Sequence, residues 1–133
     1  MKDWINEVNP RFAVDVSLRY FHGMSTTDEQ ISESESVQSD AVVRIDSLLA
    51  DYDVICLPTA TSVAPLLDRS LDDRQGARNQ LGHLLCTGGL TGCPQISLPL
   101  ATVGGLPVGL SLMGARGSDE MLIGFAREVA GEL

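Results

Sequence analysis

Hydrophobic and polar positions change their period several times along this chain, and each change marks a boundary between elements. After Asn9-Pro10 the stretch RFAVDVSLRYFHG sets Phe12, Val16, Leu18 and Phe21 among polar residues, which predicts a short helix stopped by Gly23. STTDEQ then offers stacked N-cap candidates. Thr27 and Gln30 stand in the capping-box relation, and Asp28 and Glu29 suit the positive end of a helix dipole. The helix predicted from there is thinly apolar through ISESESVQSD and then carries Ala41, Ile45, Leu48 and Leu49 as a stripe up to Asp51. Its second half is predicted to dock and its first half to face solvent.

The period then shortens. DVICLPT is an apolar run rich in β-formers that stops at Pro58, predicting a buried strand whose carboxyl end opens into a loop, a place where residues often line a site. From Ala60 to Ala77, Pro65 and the acidic LDRSLDDRQG predict a connection with at most one helical turn. ARNQLGHLLCTGG resumes a helical pattern through Leu81, Leu84 and Leu85, with closure predicted at Gly88-Gly89. QISLPL and LPVGLSLMG, joined by ATVGG, predict a hairpin. Ser118 or Asp119 can cap a last helix with Met121, Leu122, Phe125 and Val129 on one face. No repeat is visible, and residues 1–133 are expected to form a single domain.

Composition narrows the class. A chain of 133 residues can bury roughly 70% of the surface its unfolded form exposes, and 44% hydrophobic with 20% charged residues is a globular balance. The net charge of -9 is local: residues 1–73 hold 14 acids against 5 bases, and residues 74–133 hold 4 of each. Such a chain is repelled by phosphate backbones and anionic lipid, so nucleic acid and membrane surfaces are not expected partners. No apolar run approaches the roughly 18 residues of a membrane span, and Met1-Lys2-Asp3-Trp4 leads no apolar signal region. A cytoplasmic location is the expectation. Cys56, Cys86 and Cys93 are an odd number in apolar surroundings, which reads as reduced core thiols.

Candidate chemistry is sparse. A serine hydrolase needs a nucleophile, a base in hydrogen-bond reach and an oxyanion hole. Ser111 lies in GLSLM, which lacks the second glycine of a nucleophile elbow, and the alternation around it puts it on a strand face as a structural serine. His22 and His83 sit in helical patterns with nothing tying them to a serine or cysteine. His83, Cys86 and Cys93 form H-x-x-C-x(6)-C, three zinc-binding residue types without a fourth ligand at finger spacing, so neither metal nor cofactor is expected. GARGSDE could hold an anion on helix N–H groups, but Asp119 and Glu120 already occupy that terminus.

The order DYDVICLPTATSVAP, then CTGGLTGCPQISLPLATVGGLPVGLSLMGARGSDEMLIGFA, resembles the C-terminal portion of amidase signature enzymes. The matching pieces are Pro58-Thr59, Gly92-Cys93-Pro94 leading to Pro99, Gly105-Leu106-Pro107-Val108-Gly109, and Gly117-Ser118-Asp119. DWINEVNPRFAVDVSLRYFHGMSTTDEQ is similar to the preceding segment of bacterial amidases and of plant amidases of the indole-acetamide-hydrolysing kind. The resemblance spans essentially the whole chain. It implies an α/β fold, a mixed sheet flanked by helices, and hydrolysis of an amide C–N bond in the complete enzyme.

The resemblance also implies what this stretch lacks. The family's Ser, cis-Ser and Lys lie upstream of the region resembled; here there is no Ser-Ser pair and no Gly-Gly-Ser run, and the only lysine is Lys2. No catalytic residue carries over. By position, Thr59 and Thr87, Gly88 and Gly89, in the loop before the Gly-Cys-Pro turn, carry over as substrate-binding pocket wall. The expected partner is a second polypeptide bearing the catalytic half, with a small amide bound only by the complete enzyme. Self-association through uncovered apolar surface and an unpaired strand edge is expected of the chain alone. Two other readings stand beside this one: a non-catalytic interaction or subunit module on the same scaffold, and a small metal-binding protein built on His83 and the cysteines.

Overall fold

The computed structural model describes residues 2–131. Among them the elements follow as α1 (Lys2–Val8), α2 (Val14–Met24), α3 (Asp28–Asp51), β1 (Val54–Pro58), α4 (Leu71–Thr91), β2 (Gln95–Val103), β3 (Leu106–Gly114) and α5 (Asp119–Gly131). They fall into two compact units, one up to Ser36 and one from Val37 on.

In the first unit, α1 had no counterpart in the sequence pattern. Helix α2 runs through Gly23 and stops at Met24, where the Ser25 N–H bonds the Phe21 and His22 carbonyls. Tyr20 packs between Phe12 and Phe21, with ring centroids 6.4 and 5.8 Å away. The predicted capping box opens α3: the Thr27 N–H donates to Gln30 Oε1 at 3.0 Å, and the Gln30 N–H donates to Thr27 Oγ1 at 3.3 Å.

The second unit is built on the hairpin. Gly104 (φ 59°) and Gly105 (φ 79°) both take the left-handed conformation that two-residue reversals between twisted strands require. Strand β2 therefore returns antiparallel onto β3, pairing Gln95 with Met113 and Ser97 with Ser111. An extra residue enters β2 between Leu98 and Ala101, beside Pro99, which has no N–H to give to the ladder. Strand β1 takes the other side of β3, also antiparallel, from Val54 opposite Gly114 to Pro58 opposite Leu110, so the order is β1-β3-β2. Helices with a sheet bear out the α/β expectation, and both pairings described are antiparallel. The buried β1 of the sequence reading needs correction. Among the described residues it has a neighbouring strand on one side only, and Cys56 on it is exposed.

One face of this sheet makes the core. Leu112, on the central strand, is enclosed by Val54, Ile96, Leu98 and Leu110 and meets Leu122 and Ala126 of α5. On α5 the inward line is thus Leu122, Ala126 and the half-buried Val129, whereas Met121 and Phe125 stay 43% and 38% exposed. The expected stripe is rotated: residues four and then three apart follow one line down a helix, and Met121 and Phe125 lie about 100° round it. Before α5, the Ser118 hydroxyl turns back onto the Ala115 carbonyl at 2.6 Å instead of capping a helix N–H.

Helix α4 is longer than predicted at both ends. Ser70 caps it, with Oγ accepting from the Asp73 N–H at 3.1 Å, so residues 71–77 are helical and not a connection. Gly88 and Gly89 continue it, and closure comes at Gly92 in the left-handed conformation (φ 70°). The docking half of α3 is shallower than predicted. Ala41, Ile45 and Leu49 are half-buried and Leu48 is 46% exposed. Polar bonds supplement it: Gln38 Nε2 donates to the Leu90 carbonyl at 2.9 Å. Arg116 reaches Asp46 at 2.6 Å with one terminal nitrogen and the Thr91 carbonyl at 3.0 Å with the other, joining α3 and the end of α4 to the turn before α5. The hydrogen bond and charge of Asp46 raise the Arg116 pKa above its ordinary value.

Candidate functional site

The sheet face opposite the core carries hydroxyls. Ser97 and Ser111 are a cross-strand pair, so they point to the same side, and Gly109 lies two residues further along β3 on that side. Just beyond β1, the Thr59 N–H extends the ladder to the Gly109 carbonyl at 2.8 Å. This brings Thr59 Oγ1 to 2.6 Å from Ser97 Oγ and 2.9 Å from Ser111 Oγ. Gly109 is what makes room. A Cβ there would fall 2.6 Å from Thr59 Oγ1 and 2.8 Å from Ser97 Oγ.

These three hydroxyls form a chain from the fully buried Ser111, through Thr59, to the exposed Ser97. Each carries one proton and can accept as well as donate, so Ser97 can turn either a donor or an acceptor outward. Among the described residues no histidine, lysine or carboxylate bonds to them, so none has a base to activate it. Replacing Thr59 with valine is expected to strand the buried Ser111 hydroxyl and to lower stability by about 1–3 kcal/mol. Urea unfolding checks this; an unchanged midpoint would mean that Ser111 does not depend on Thr59.

Gly109 also borders a cleft of about 450 Å³. Its walls are the 60–65 loop after β1, Pro107 and Val108 at the start of β3, and Arg74, Ala77, Arg78 and Leu81 of α4. The four α4 residues are spaced 3, 1 and 3 apart, which puts them on one helix face. The Nε of Arg74 donates to the Arg69 carbonyl at 3.1 Å, which orients its guanidinium.

The structure separates the four residues read as pocket wall. Thr59 is the centre of the hydroxyl chain. Thr87, Gly88 and Gly89 lie in the last turns of α4, not in a loop, and none lines the cleft. Gly88 is buried where a Cβ would come 2.8 Å from Gln95 Oε1 and 3.3 Å from the Cys93 carbonyl, while Gly89 faces open space. Thr87 offers its carbonyl to Thr91 Oγ1 at 2.8 Å. Ser97, Arg74 and Arg78 have no place in the sequence reading, and Gly109 enters it only as the end of the Gly-Leu-Pro-Val-Gly piece. A register pairing Ser97 with Ser111 was the available signal for the first; the arginines were hidden by reading residues 71–77 as a connection.

The cysteine reading holds for one residue of three. Cys93 is buried, but Cys56 and Cys86 are exposed, on the edge strand and on α4 respectively, and all three thiols are free. Among the described residues no three His, Cys, Asp or Glu side chains gather as a metal site.

A family model described as Amidase matches residues 7–123. The chain belongs to the amidase family. This amidase-family chain is 32% identical over 127 residues to Amidase 1 of Arabidopsis thaliana, covering 96% of its own length and 30% of that relative. It is 27% identical over 121 residues to Outer envelope protein 64, chloroplastic, of the same plant, covering 91% of itself and 20% of that protein. A solved crystal structure of an amidase superposes with a TM-score of 0.79 at 21% identity, over 99% of this chain and 31% of that one, and so has its fold. The chain thus spans less than a third of the length of these relatives. No described helix is long and apolar enough to cross a membrane.

Proposed function

We propose that this chain forms one wall of the substrate cleft of an amide hydrolase, and that the activated nucleophile comes from a further polypeptide segment carrying the family's serines and lysine. The observation that carries this reading is the meeting at Gly109 of a largely apolar cleft and a hydroxyl chain, in a chain of the amidase family. The cleft can hold the body of a small amide, and the outward Ser97 hydroxyl can hydrogen-bond a polar group at its end. Neither step needs a metal or an organic cofactor. Replacing the matching segment of Arabidopsis Amidase 1 with residues 7–123 of this chain tests the reading. The chimera should hydrolyse amides, and Gly109→Val within it should abolish turnover. A folded chimera that turns over nothing would oppose this role.

Self-association of the isolated chain belongs to the same proposal. Met121 and Ile123 on α5, Leu106 at the hairpin and Leu67 in the connecting loop are all exposed, and β1 and β2 each have one paired edge. Sedimentation at tens of micromolar should show dimers or larger species together with binding of a hydrophobic dye. A strict monomer that binds no dye would contradict it.

One observation favours a second reading, a non-catalytic module on the amidase scaffold in the cytoplasm or at an organelle surface. One similar protein is named for the chloroplast outer envelope and not for an amidase activity.

A further inference from the structure

We infer that the free edge of β1 docks an extended strand of the segment that carries the family's serines and lysine, and that this strand covers Cys56. The inference rests on the proposed function for the identity of the partner, but it concerns docking by this chain and requires no hydrolysis. The phase of the ladder determines what the edge offers. The Thr59 N–H bonds the Gly109 carbonyl, and along an antiparallel pair the residues that exchange bonds alternate with those that do not. Leu57 opposite Ser111 and Ile55 opposite Met113 therefore also turn their N–H and C=O groups to β3. Val54 and Cys56 turn both groups outward, and Pro58 turns out its carbonyl. The Gly114 N–H, bonded to the Pro94 carbonyl on the β2 side, fixes the same phase from the central strand. Among the described residues no strand lies beside those outward groups.

The two edges of the sheet are not alike. On β2 the pairing shifts between Leu98 and Ala101, beside Pro99, which brings no N–H, so that edge is blunted. The β1 register runs unbroken from Val54 to Pro58, with no charged side chain in VICLP to repel an added strand. The sheet face beside it is open too. Cys56 stands opposite Leu112 and so on the same side of the sheet, yet Leu112 is 1% exposed while Cys56 is exposed, because α5 packs over β2 and β3. The core face thus ends bare at its β1 margin. The solved amidase superposes over 99% of this chain, but the shared part is 31% of that one, so this sheet belongs to a larger fold whose remainder lies outside these residues. A second copy fits the edge less well. Paired antiparallel about Cys56, it would set each outward Val54 carbonyl against Pro58, which has no N–H, and would join two chains of net charge -9.

The test compares the purified full chain, in dilute solution, with the chimera in which residues 7–123 replace the matching segment of Arabidopsis Amidase 1. Two quantities are read residue by residue. The first is alkylation of Cys56 by N-ethylmaleimide, which should proceed freely in the isolated chain and at least about tenfold more slowly in the chimera, as for an enclosed cysteine. In urea the two should react alike. The second is amide hydrogen exchange: in the isolated chain Ile55 and Leu57 should exchange slowly and Val54 and Cys56 fast, and in the chimera all four should be slow. On mixing this chain with Amidase 1 from which the matching segment is deleted, both readings should move together with complex formation. Cys56→Pro, which deletes one outward N–H, should weaken that complex several-fold, whereas Cys56→Ala should not; slow Ile55 and Leu57 amides in the proline variant would show β1 still in place. Equal alkylation in chain and chimera would overturn the proposal. A protected thiol beside Val54 and Cys56 amides that stay fast would overturn it as well, since something other than a strand then covers the edge. Protection already present in the isolated chain and lost on dilution, with none in the chimera, would overturn it by assigning the edge to a second copy. Because no turnover is read, an inactive chimera with a protected Cys56 leaves the docking standing, and an active chimera with a reactive Cys56 leaves the hydrolase reading standing.

Discussion

Purified alone, the chain is expected to hydrolyse no amide or ester above background. Amide cleavage needs a nucleophile activated by a base, and loss of either from such a unit costs on the order of a millionfold in kcat. The three hydroxyls beside Gly109 have only one another as side-chain partners among the described residues. Ser111 is the most enclosed of them at 0% exposure, where no substrate carbonyl can approach without rearrangement of β3. Small aliphatic and aryl amides should therefore show no turnover, and a fluorophosphonate probe should leave the chain unlabelled. Turnover that survives Ser111→Ala would reveal a nucleophile elsewhere in the chain. Turnover abolished by that change would make Ser111 the nucleophile and overturn its structural role.

Leu112→Ala should unfold much of the second unit. Leu112 is 1% exposed on the central strand, and the whole face around it converges on that side chain. Truncating a buried leucine costs about 2–5 kcal/mol through lost transfer energy and the cavity left behind. Domains of ordinary size are stable by only roughly 5–15 kcal/mol, and the enclosed apolar side chains among the described residues are few: Cys93, Leu112, Met113, Leu122 and Ala126. The margin is correspondingly thin. Val103→Ala, at the exposed end of the hairpin, serves as the control and should change stability by no more than about 0.5 kcal/mol. Far-UV circular dichroism in urea separates the two. A Leu112→Ala midpoint equal to that of the parent chain would mean that the core lies elsewhere.

How much of this was legible in the sequence depends on whether the signal was local. The Thr27/Gln30 capping box and the Gly104-Gly105 reversal are written in adjacent residues, and both were read correctly as a helix start and a hairpin. Where a glycine pair and a single glycine compete, local reading fails. Gly88-Gly89 looked like a helix end, but only Gly92 occupies the left-handed conformation that ends α4. The start of α4 was lost for a related reason: the acidic LDRSLDDRQG lacks an apolar stripe, yet the Ser70 cap suffices to begin the helix there. On α5 the apolar residues cover more than one face, so composition could not choose between Met121-Phe125 and Leu122-Ala126. The hydroxyl chain joins Thr59, Ser97 and Ser111 across 38 and 52 residues of sequence. Its geometry follows from strand register, which no local pattern encodes. Of the four residues that the resemblance offers as pocket wall, Thr59 is the centre of the hydroxyl chain and Thr87, Gly88 and Gly89 lie in the last turns of α4; none of the four lines the cleft itself.

The most direct test of the central claim is amide hydrolysis on mixing. The chain is combined with a separately purified amidase-family polypeptide that bears the upstream serines and lysine but lacks the segment matched here. Each should be silent alone, and together they should turn over an aryl amide, with fluorophosphonate labelling on the partner's serine and none on this chain. Activity should titrate to a stoichiometric end point and should be lost with Gly109→Val. Mixtures that form a stable complex yet remain as silent as the separate chains would contradict the claim that this chain completes a hydrolytic cleft.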